Sequence, residues 1–396
     1  MPFRIQTLNN ISPVGLNRLP REIYEVASHL SSPDAVMLRS HNMHDMEIPD
    51  SVRAIGRAGA GVNNIPVADM SKRGVPVFNA PGANANAVKE LVLAGLFLAS
   101  RNIIPAAQYV AGLQGDDAEL HKQVEAGKKK FKGMELPGRT LGVIGLGAIG
   151  VQVANAASDL GMSVVGFDPK MTIGNAWRLH AGVAEAVSVD DLLARSEFVS
   201  MHVPLNDHTR GMLDEKRIQV MRDGAVLLNF SRDGIVDEQA VINALDSGKL
   251  AAYVCDFPSN INKNHPKVVA LPHLGASTDE AEDNCAVMVA DQLRDYLEVG
   301  NIRNAVNFPE AILPPTDGAH RLCVVNANVP NMVGQISSTL AKHGLNIADL
   351  LNKSREEIAY TMVDVDSPVP DEALQEICAI EGVLSCRYLD LVSGDR

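Results

Sequence analysis

The chain reads as an α/β protein of three parts: a doubly wound parallel sheet, a smaller parallel α/β unit ahead of it, and a β-α-β-β-α-β module behind it. Three observations carry this. The apolar run from Leu141 breaks into glycines at Gly145, Gly147 and Gly150 and then turns to helical spacing through Val153, Ala157 and Leu160. Short apolar runs alternate with helical patterns on both sides of that point. Beyond a proline-rich stretch, four strand patterns and two helical ones complete the chain.

Up to about residue 90, short apolar runs such as Ala35–Leu38, Val52–Ile55 and Val75–Phe78 are punctuated by turn residues, as in a small parallel unit. Asn86–Arg101 is a strongly apolar helix. The polar, helix-prone stretch Gln108–Lys132 carries charges on more than one face, which fits either a surface connection or an arm packed on a second subunit. From Thr140 the chain cycles through the strands Leu141–Gly145, Ser163–Phe167, Phe198–Val203, Ala225–Phe230, Ala251–Asp256 and Val268–Leu271. A capping box, Ser277-x-x-Glu280, opens a helix that runs to about Val299. Asn307–Gly318 is rich in proline and reads as a linker. The strands Arg321–Ala327, Ala348–Lys353, Ile358–Val365 and Leu384–Tyr388, with helices Met332–His343 and Asp371–Ile380, then spell a ferredoxin-like module.

The glycine loop points to a dinucleotide. The first glycine permits a tight turn, the second lets backbone approach a pyrophosphate, and the third lets helix and strand pack closely. The helix N-terminus offers N–H groups and a positive dipole end to the phosphates. The next strand ends at Asp168, whose carboxylate can accept both ribose hydroxyls of NAD and repels the extra phosphate of NADP. Together these make the central part a Rossmann domain for NAD.

Composition narrows the partners. A formal charge of −13 argues against nucleic acid, and Lys128–Lys130 is a solvated exception without interleaved aromatics. The longest apolar stretch, Leu91–Ala99, is too short to span a bilayer. Five scattered cysteines form no C-x-x-C, and Met1-Pro-Phe-Arg-Ile-Gln shows no signal pattern, so no metal and a cytoplasmic location are expected.

An enzyme that oxidises an alcohol with a nicotinamide cofactor needs a base for the hydroxyl proton and a cation for the substrate's charge. In a doubly wound sheet these belong just past strand C-terminal ends. Arg232 follows the strand ending at Phe230, and His273 follows the strand ending at Leu271. Taken singly, such an Arg is more often a surface ion pair and such a His structural. Arginine's planar fork suits a 2-hydroxy or 2-oxo acid carboxylate, and histidine titrates near neutrality.

The motifs Gly56-Arg-Ala-Gly-Ala-Gly-Val-Asn-Asn64, Asn79-Ala-Pro-Gly-Ala-Asn84, Gly145–Gly150, Met201-His-Val-Pro-Leu205, Asn229-Phe-Ser-Arg-Asp-Gly-Ile-Val-Asp-Glu238 and Pro272-His-Leu-Gly-Ala-Ser-Thr278 occur in one order over nearly all of residues 1–306. In them the chain resembles the D-isomer-specific 2-hydroxyacid dehydrogenases, and among these the branch that acts on 3-phosphoglycerate. The resemblance implies a flavodoxin-like substrate domain (1–89 plus 278–306), an NAD-binding domain (90–277), a linker (307–319) and a C-terminal ACT domain (320–396), an amino-acid-sensing module. It implies NAD-dependent oxidation of 3-phosphoglycerate to 3-phosphohydroxypyruvate, the entry to serine synthesis, by a homodimer or homotetramer.

Carried onto this chain, the resemblance makes Arg232 the substrate anchor and His273 the acid–base. Gly145, Gly147, Ala148, Ile149, Gly150, Asp168, Phe230, Ser231, Asp256, Gly275 and Ala276 would hold NAD. Arg39, Ala60, Gly61 and Asn84 would hold substrate, although His41 stands where some members have a second arginine. Asn326, Asn328 and Asn346 match contacts to L-serine, with histidine more usual at the first in serine-inhibited bacterial members. Family members usually read Asp-Val-Phe-x-x-Glu-Pro, whose glutamate orients the histidine. Here Asp256-Phe-Pro-Ser-Asn260 leaves either Asn260 or another acid such as Glu280 for that task. Glycerate, glyoxylate or 4-phosphoerythronate are alternative substrates, and an NAD-sensing interaction protein is the alternative outside catalysis; the acidic charge and the appended module speak against the last.

Overall fold

The computed structural model describes residues 2–316 and 320–391. The chain gathers into two compact units, Met1–Ala83 with Glu282–Arg396, and Asn84–Ala281.

The first unit opens with five parallel strands, β1 (Phe3–Leu8), β2 (Tyr24–Ala27), β3 (Ala35–Leu38), β4 (Ala54–Arg57) and β5 (Val77–Phe78), in the order β2-β1-β3-β4-β5. That is the flavodoxin-like order. β3 coincides with its sequence reading, whereas β4 starts two residues later than Val52 and β5 is confined to Val77–Phe78. β1 and β2 escaped the sequence reading. Only Ile5 of β1 and Tyr24 of β2 are buried in their strands, so neither makes a continuous apolar run.

The second unit holds seven parallel strands: β6 (Thr140–Ile144), β7 (Ser163–Phe167), β8 (Ala184–Glu185), β9 (Phe198–Met201), β10 (Ala225–Asn229), β11 (Leu250–Cys255) and β12 (Val268–Ala270). Their order, β12-β11-β10-β9-β6-β7-β8, reverses direction beside β6, as in the doubly wound dinucleotide-binding fold. All residues of β9 and β10 are buried, as expected of strands covered on both faces. β8 is two exposed residues long and carries no hydrophobic signal. The expected long polar stretch is two helices, Ile103–Ala111 and Asp117–Gly127, with a 3-10 turn at Lys128–Phe131.

The third sheet is antiparallel: β13 (His320–Ala327), β14 (Ile347–Arg355), β15 (Ile358–Val365) and β16 (Val383–Asp390), in the order β14-β15-β13-β16, with helices Met332–Lys342 and Asp371–Cys378 in the ferredoxin-like connection. The helix Asp279–Val299 is capped by Thr278, whose hydroxyl accepts the Ala281 N–H at 3.1 Å, one residue past the expected Ser277.

The proline-rich segment read as a linker is built into the first unit as far as Leu313; residues 317–319 of it lie outside the described residues. Asn307 accepts the Val77 N–H at 2.8 Å and donates to Ser71 Oγ and Val75 O, closing the edge at β5. Phe308 and Ala311 are buried, and Ile302 and Ala311 exchange backbone hydrogen bonds.

Arg321 ties the third sheet to this segment. Fully buried, it donates from Nε and Nη2 to the two oxygens of Asp364 at 2.6 and 2.7 Å. Nη1 donates to Val299 O and Leu313 O, and Nη2 also to Pro314 O. All five N–H groups of the guanidinium are thereby used. Removing one member of such a pair strands a charge in the interior. Asp364→Asn is expected to destabilise the first unit by roughly 3–5 kcal/mol, read as a fall in the denaturant midpoint. An unchanged midpoint would show that the pair is dispensable.

Candidate active site

β6 ends at Ile144 and the glycine loop follows at the reversal of strand order. Gly145 takes φ +91°, donates its N–H to Phe167 O at 2.9 Å, and has no room for a side chain against His202 O. A methyl on Gly150 would collide with the Gly145 carbonyl, so the third glycine brings helix Ala148–Asp159 down onto the turn. Gly147 differs: beyond its neighbours in the chain, its Cβ would meet nothing within 4 Å among the described residues. Protein packing does not require glycine there, so the bare backbone is left for a ligand. No side chain caps this helix, which leaves the N–H groups of Ala148 and Ile149 available to an anion. Asp168, past the end of β7, accepts the Leu146 N–H at 2.8 Å through one oxygen and the Lys170 N–H at 2.8 Å through the other. The loop and the acid are thus held together, and the residues present fit a dinucleotide.

Next to β6 in the sheet, β9 ends at Met201 and leads to His202. Burial pushes the pKa of His202 down to about 4, so the ring is neutral at physiological pH. Its Nε2 lies 2.8 Å from Ser200 Oγ.

β10 delivers Phe230, Ser231 and Arg232. Ser231 is buried, donates its hydroxyl to Met201 O and donates its backbone N–H to Asn229 Oδ1. Arg232 is exposed; Nη1 donates to Ser231 O at 2.6 Å, and its guanidinium pairs with no carboxylate among the described residues. Asn229 Nδ2 holds the Arg232 carbonyl at 2.9 Å.

β12 leads to His273, which is exposed and takes φ +57° in the left-handed region. Asp256 organises this turn. Buried at the end of β11, it accepts the Leu274 N–H at 2.7 Å and the Gly275 N–H at 2.8 Å, while its own carbonyl accepts the His273 N–H at 3.1 Å. Gly275 leaves the carboxylate room, since a Cβ there would stand 3.2 Å from Asp256 Oδ2. The Phe257 ring lies 5.1 Å from the imidazole, which hydrogen-bonds no side chain among the described residues. Since β10, β11 and β12 are consecutive neighbours, Arg232 and His273 leave the same sheet edge two strands apart, about 10 Å of backbone spacing.

Asn260 is not brought to His273. It is exposed, and its amide oxygen accepts from Lys263 Nζ at 2.8 Å. Glu280 is also exposed and makes no hydrogen bond to the imidazole. The ordered polar network of this loop is one that sequence reasoning missed. Glu238 accepts from Ser259 Oγ at 2.6 Å and from Asn262 Nδ2 at 3.0 Å, and Asn262 is buried. Asn262 falls in the shortened loop, where no spacing marked it.

In the first unit, Arg39 follows β3 and pairs with Glu282 at 2.6 Å. Its carbonyl accepts from Arg57 Nε at 3.0 Å, and the Arg57 guanidinium lies against Gly59. Arg57 is a second cation beside this loop, present in a motif but not singled out in the sequence. Ala60 O accepts from Asn79 Nδ2 at 2.6 Å, fixing the turn that carries Gly61. In the second unit, Asn84 precedes helix Ala85–Arg101 with its Oδ1 buried and without a hydrogen-bond partner among the described residues.

In the third sheet Asn326 Nδ2 donates to Ala327 O, and Asn326 Oδ1 is buried without a hydrogen-bond partner among the described residues. Asn328 Nδ2 donates to Glu356 O at 3.0 Å. Asn346 precedes Ile347, which is level with Val365 and through it with His320. Asn326 lies six residues along from His320, so one chain holds Asn346 and Asn326 at opposite ends of the sheet, about 20 Å apart.

Residues 96–275 match the NAD-binding domain of the D-isomer-specific 2-hydroxyacid dehydrogenases. The chain is 34% identical over 367 residues to D-3-phosphoglycerate dehydrogenase of Escherichia coli K12, covering 89% of this chain and 85% of that protein. It is 29% identical to the enzyme of the same name from Dictyostelium discoideum, over 98% of this chain and 97% of that one. Its fold is similar to the NAD-bound 3-phosphoglycerate dehydrogenase of Entamoeba histolytica, with TM-score 0.59 and 23% identity over 77% of this chain and 99% of that one.

Two glycines make a paired test. Gly147→Ala is expected to keep the unfolding midpoint while weakening NAD binding by about tenfold or more, through blocked backbone approach. Gly150→Ala is expected to lower the midpoint itself; equal effects of the two on stability would overturn the distinction. His202 supplies a pH signature. Its pKa is depressed from 6.5, so its contribution to stability is full above that value and is lost as pH falls toward 4. His202→Asn should therefore show a shallower loss of stability across that window, checked by denaturant titrations at stepped pH.

Proposed function

The chain belongs to the D-isomer-specific 2-hydroxyacid dehydrogenase family, and we propose that it is an NAD-dependent oxidoreductase that converts 3-phosphoglycerate to 3-phosphohydroxypyruvate, the entry step of serine synthesis. The observation that carries the reading is one sheet edge. There Arg232, with no carboxylate partner among the described residues, and the His273 imidazole, with no side-chain hydrogen bond among them, stand at the ends of β10 and β12, on the sheet whose β6 carries the glycine loop.

The helix N-terminus at Ala148 and Ile149, with Gly145, Gly147 and Gly150, would hold the pyrophosphate, and Asp168 the adenosine ribose. Phe230, Ser231, Asp256, Gly275 and Ala276 are assigned to the nicotinamide side. Bound there, NAD would supply the acceptor for a hydride from C2 of the substrate. Arg232 draws the substrate carboxylate and hydroxyl oxygen into place through its planar fork. His273 takes the hydroxyl proton, for which it must start neutral. Asp256 is a positioning residue: its two N–H bonds hold the turn that presents the imidazole. Arg39, Ala60, Gly61 and Asn84 are assigned to the substrate's phosphate and carboxylate.

Asp168 should select NAD over NADP by roughly 10²-fold or more in kcat/KM, because its carboxylate repels a 2′-phosphate. Comparable values for both cofactors would remove the assignment. His273→Ala should lower kcat by about 10²–10⁴-fold, the range for a lost acid–base. Asn260→Ala, by contrast, should leave both turnover and the acidic limb of the pH profile in place, since its amide holds Lys263. A shifted acidic limb in Asn260→Ala would return Asn260 to the histidine. Turnover with glycerate or glyoxylate matching that with 3-phosphoglycerate would overturn the substrate.

The third sheet is assigned as the ACT domain, sensing an amino acid, with L-serine the first to test. Since Asn326 and Asn346 are at opposite ends of one sheet, a site using both needs a second copy of the chain, in keeping with a homodimer or homotetramer. Exposed Phe97, Ile103 and Val110, on helices Ala85–Arg101 and Ile103–Ala111, are apolar surface of the kind a second subunit covers. Serine is expected to lower activity with a coupling of about 1–3 kcal/mol, abolished by Asn346→Ala. Serine-independent kinetics, with no heat of binding, would leave the module without this ligand.

A further inference from the structure

The third sheet meets the first unit's parallel sheet around a cavity of about 450 Å³, walled by the chain before β4, the turn after helix Val67–Lys72, Tyr296 and β16. Two things on its wall show how tightly the modules approach. Gly74, at φ +68°, has Leu384 Cβ 3.1 Å and Ser385 Oγ 3.3 Å from where its own Cβ would be. Arg387 lies over the Tyr296 ring, Cζ 4.0 Å from its centroid, and donates from Nη2 to Tyr296 O at 2.9 Å.

The charges of this cavity do not balance. Three arginines line it, Arg53, Arg73 and Arg387, against a single acidic residue, Asp50. Asp50 is fully solvent-exposed and reaches only Arg73, at 3.4 Å. Arg73 also donates to Ile48 O and Pro49 O, which fix the group in place without neutralising it. Arg53 is 3.7 Å from Asp34, which also takes the Arg4 N–H. Arg387 pairs with no carboxylate among the described residues; its Nη1 is buried with no well-formed hydrogen bond there, its polar neighbour being the Tyr360 hydroxyl, which is uncharged and itself donates to Gly300 O. A buried guanidinium without a counter-ion is costly, as is a buried donor left unmade. The contrast with Arg321, a few residues away in the same sheet, is direct: that guanidinium satisfies every donor from within the chain.

We propose that this cavity is a binding site for a small anion bearing phosphate or carboxylate groups, taken up between Arg53, Arg73 and Arg387. Its volume lies within the range of small-molecule sites, well above that of a single ion. Guanidinium forks suit the planar and tetrahedral oxyanions of such ligands. Because one wall belongs to β16 and another to the loop ahead of β4, the anion would bind both modules of the first unit at once. Its lining includes neither Arg39 nor any residue assigned above to substrate or NAD, so it is an additional site.

The test titrates the full-length protein by calorimetry with inorganic phosphate and, in parallel, with citrate. The variants are Arg53→Gln, whose side chain is half exposed, and Arg387→Met, with Arg387→Lys keeping the charge. Arg39→Gln controls for anion uptake elsewhere. Binding by phosphate, citrate or both should weaken by about tenfold or more in Arg53→Gln and Arg387→Met, as expected for loss of a charge-assisted hydrogen bond, and persist in Arg39→Gln. The anion that binds identifies the ligand chemistry. Should Arg387→Met fail to fold, Arg53→Gln alone decides. Affinity unchanged in the Arg53 variant, or no binding by the wild type well above a millimolar Kd, overturns the proposal.

Discussion

Everything the second unit does depends on the reversal of strand order beside β6. Crossovers leave β6 and β9 toward opposite faces of the sheet, so the loops at their C-terminal ends part and leave backbone exposed between them. The chain spends its tightest geometry there. Gly145 turns against the carbonyl of His202, and Gly150 seats a helix on the turn. The Leu146 N–H is delivered to Asp168. The same edge carries Ser231 and Arg232 after β10 and, one strand beyond β11, His273. A parallel sheet puts all its C-terminal ends on one side, so residues far apart in sequence share an edge without contacting each other in the core.

Asp256 illustrates how a buried charge is made tolerable and useful. Its carboxylate is almost fully buried, and both oxygens accept backbone N–H bonds from the turn after β12. A buried carboxylate so satisfied is inexpensive, and the turn it holds is kept in a conformation with His273 in the left-handed region. Arg321 solves the same problem in the first unit, with five donors matched to a carboxylate and three carbonyls. Arg387 leaves it unsolved. These cases separate charges that hold the fold together from one that the fold leaves open to a partner.

The segment between the second unit and the third sheet shows why composition misleads about mobility. Prolines and polar residues read as a linker, but Asn307 substitutes for a missing strand partner at β5, and Phe308 and Ala311 enter the core. Proline cannot donate, yet it does not prevent its neighbours from packing. The division of the chain follows contacts: the third sheet groups with the first residues of the chain, not with the residues nearest to it in sequence before Glu282.

Local pattern made the parallel sheets, the ferredoxin-like module, the glycine loop and Asp168 legible, because each rests on signals a few residues long: apolar runs, glycine spacing, an acid at a strand end. The positions of Arg232 and His273 past the ends of β10 and β12 were legible for the same reason, since place past a strand follows from topology. β1 and β2 were not, being short strands with a single buried residue each. The partner of Asn260 was not legible either. Whether its amide meets the His273 imidazole or Lys263 depends on the path of a shortened loop, and only the folded chain placed it beside Lys263. Likewise, Asn326, Asn328 and Asn346 look like one set in sequence, yet antiparallel pairing sends the first and last to opposite ends of a sheet. The sequence by itself marked the strands that make continuous apolar runs and the residue types, at strand ends and in the glycine loop, that are suited to chemistry. Tertiary structure alone decided which of them meet, because that depends on strand order, register and loop path, which no local signal encodes.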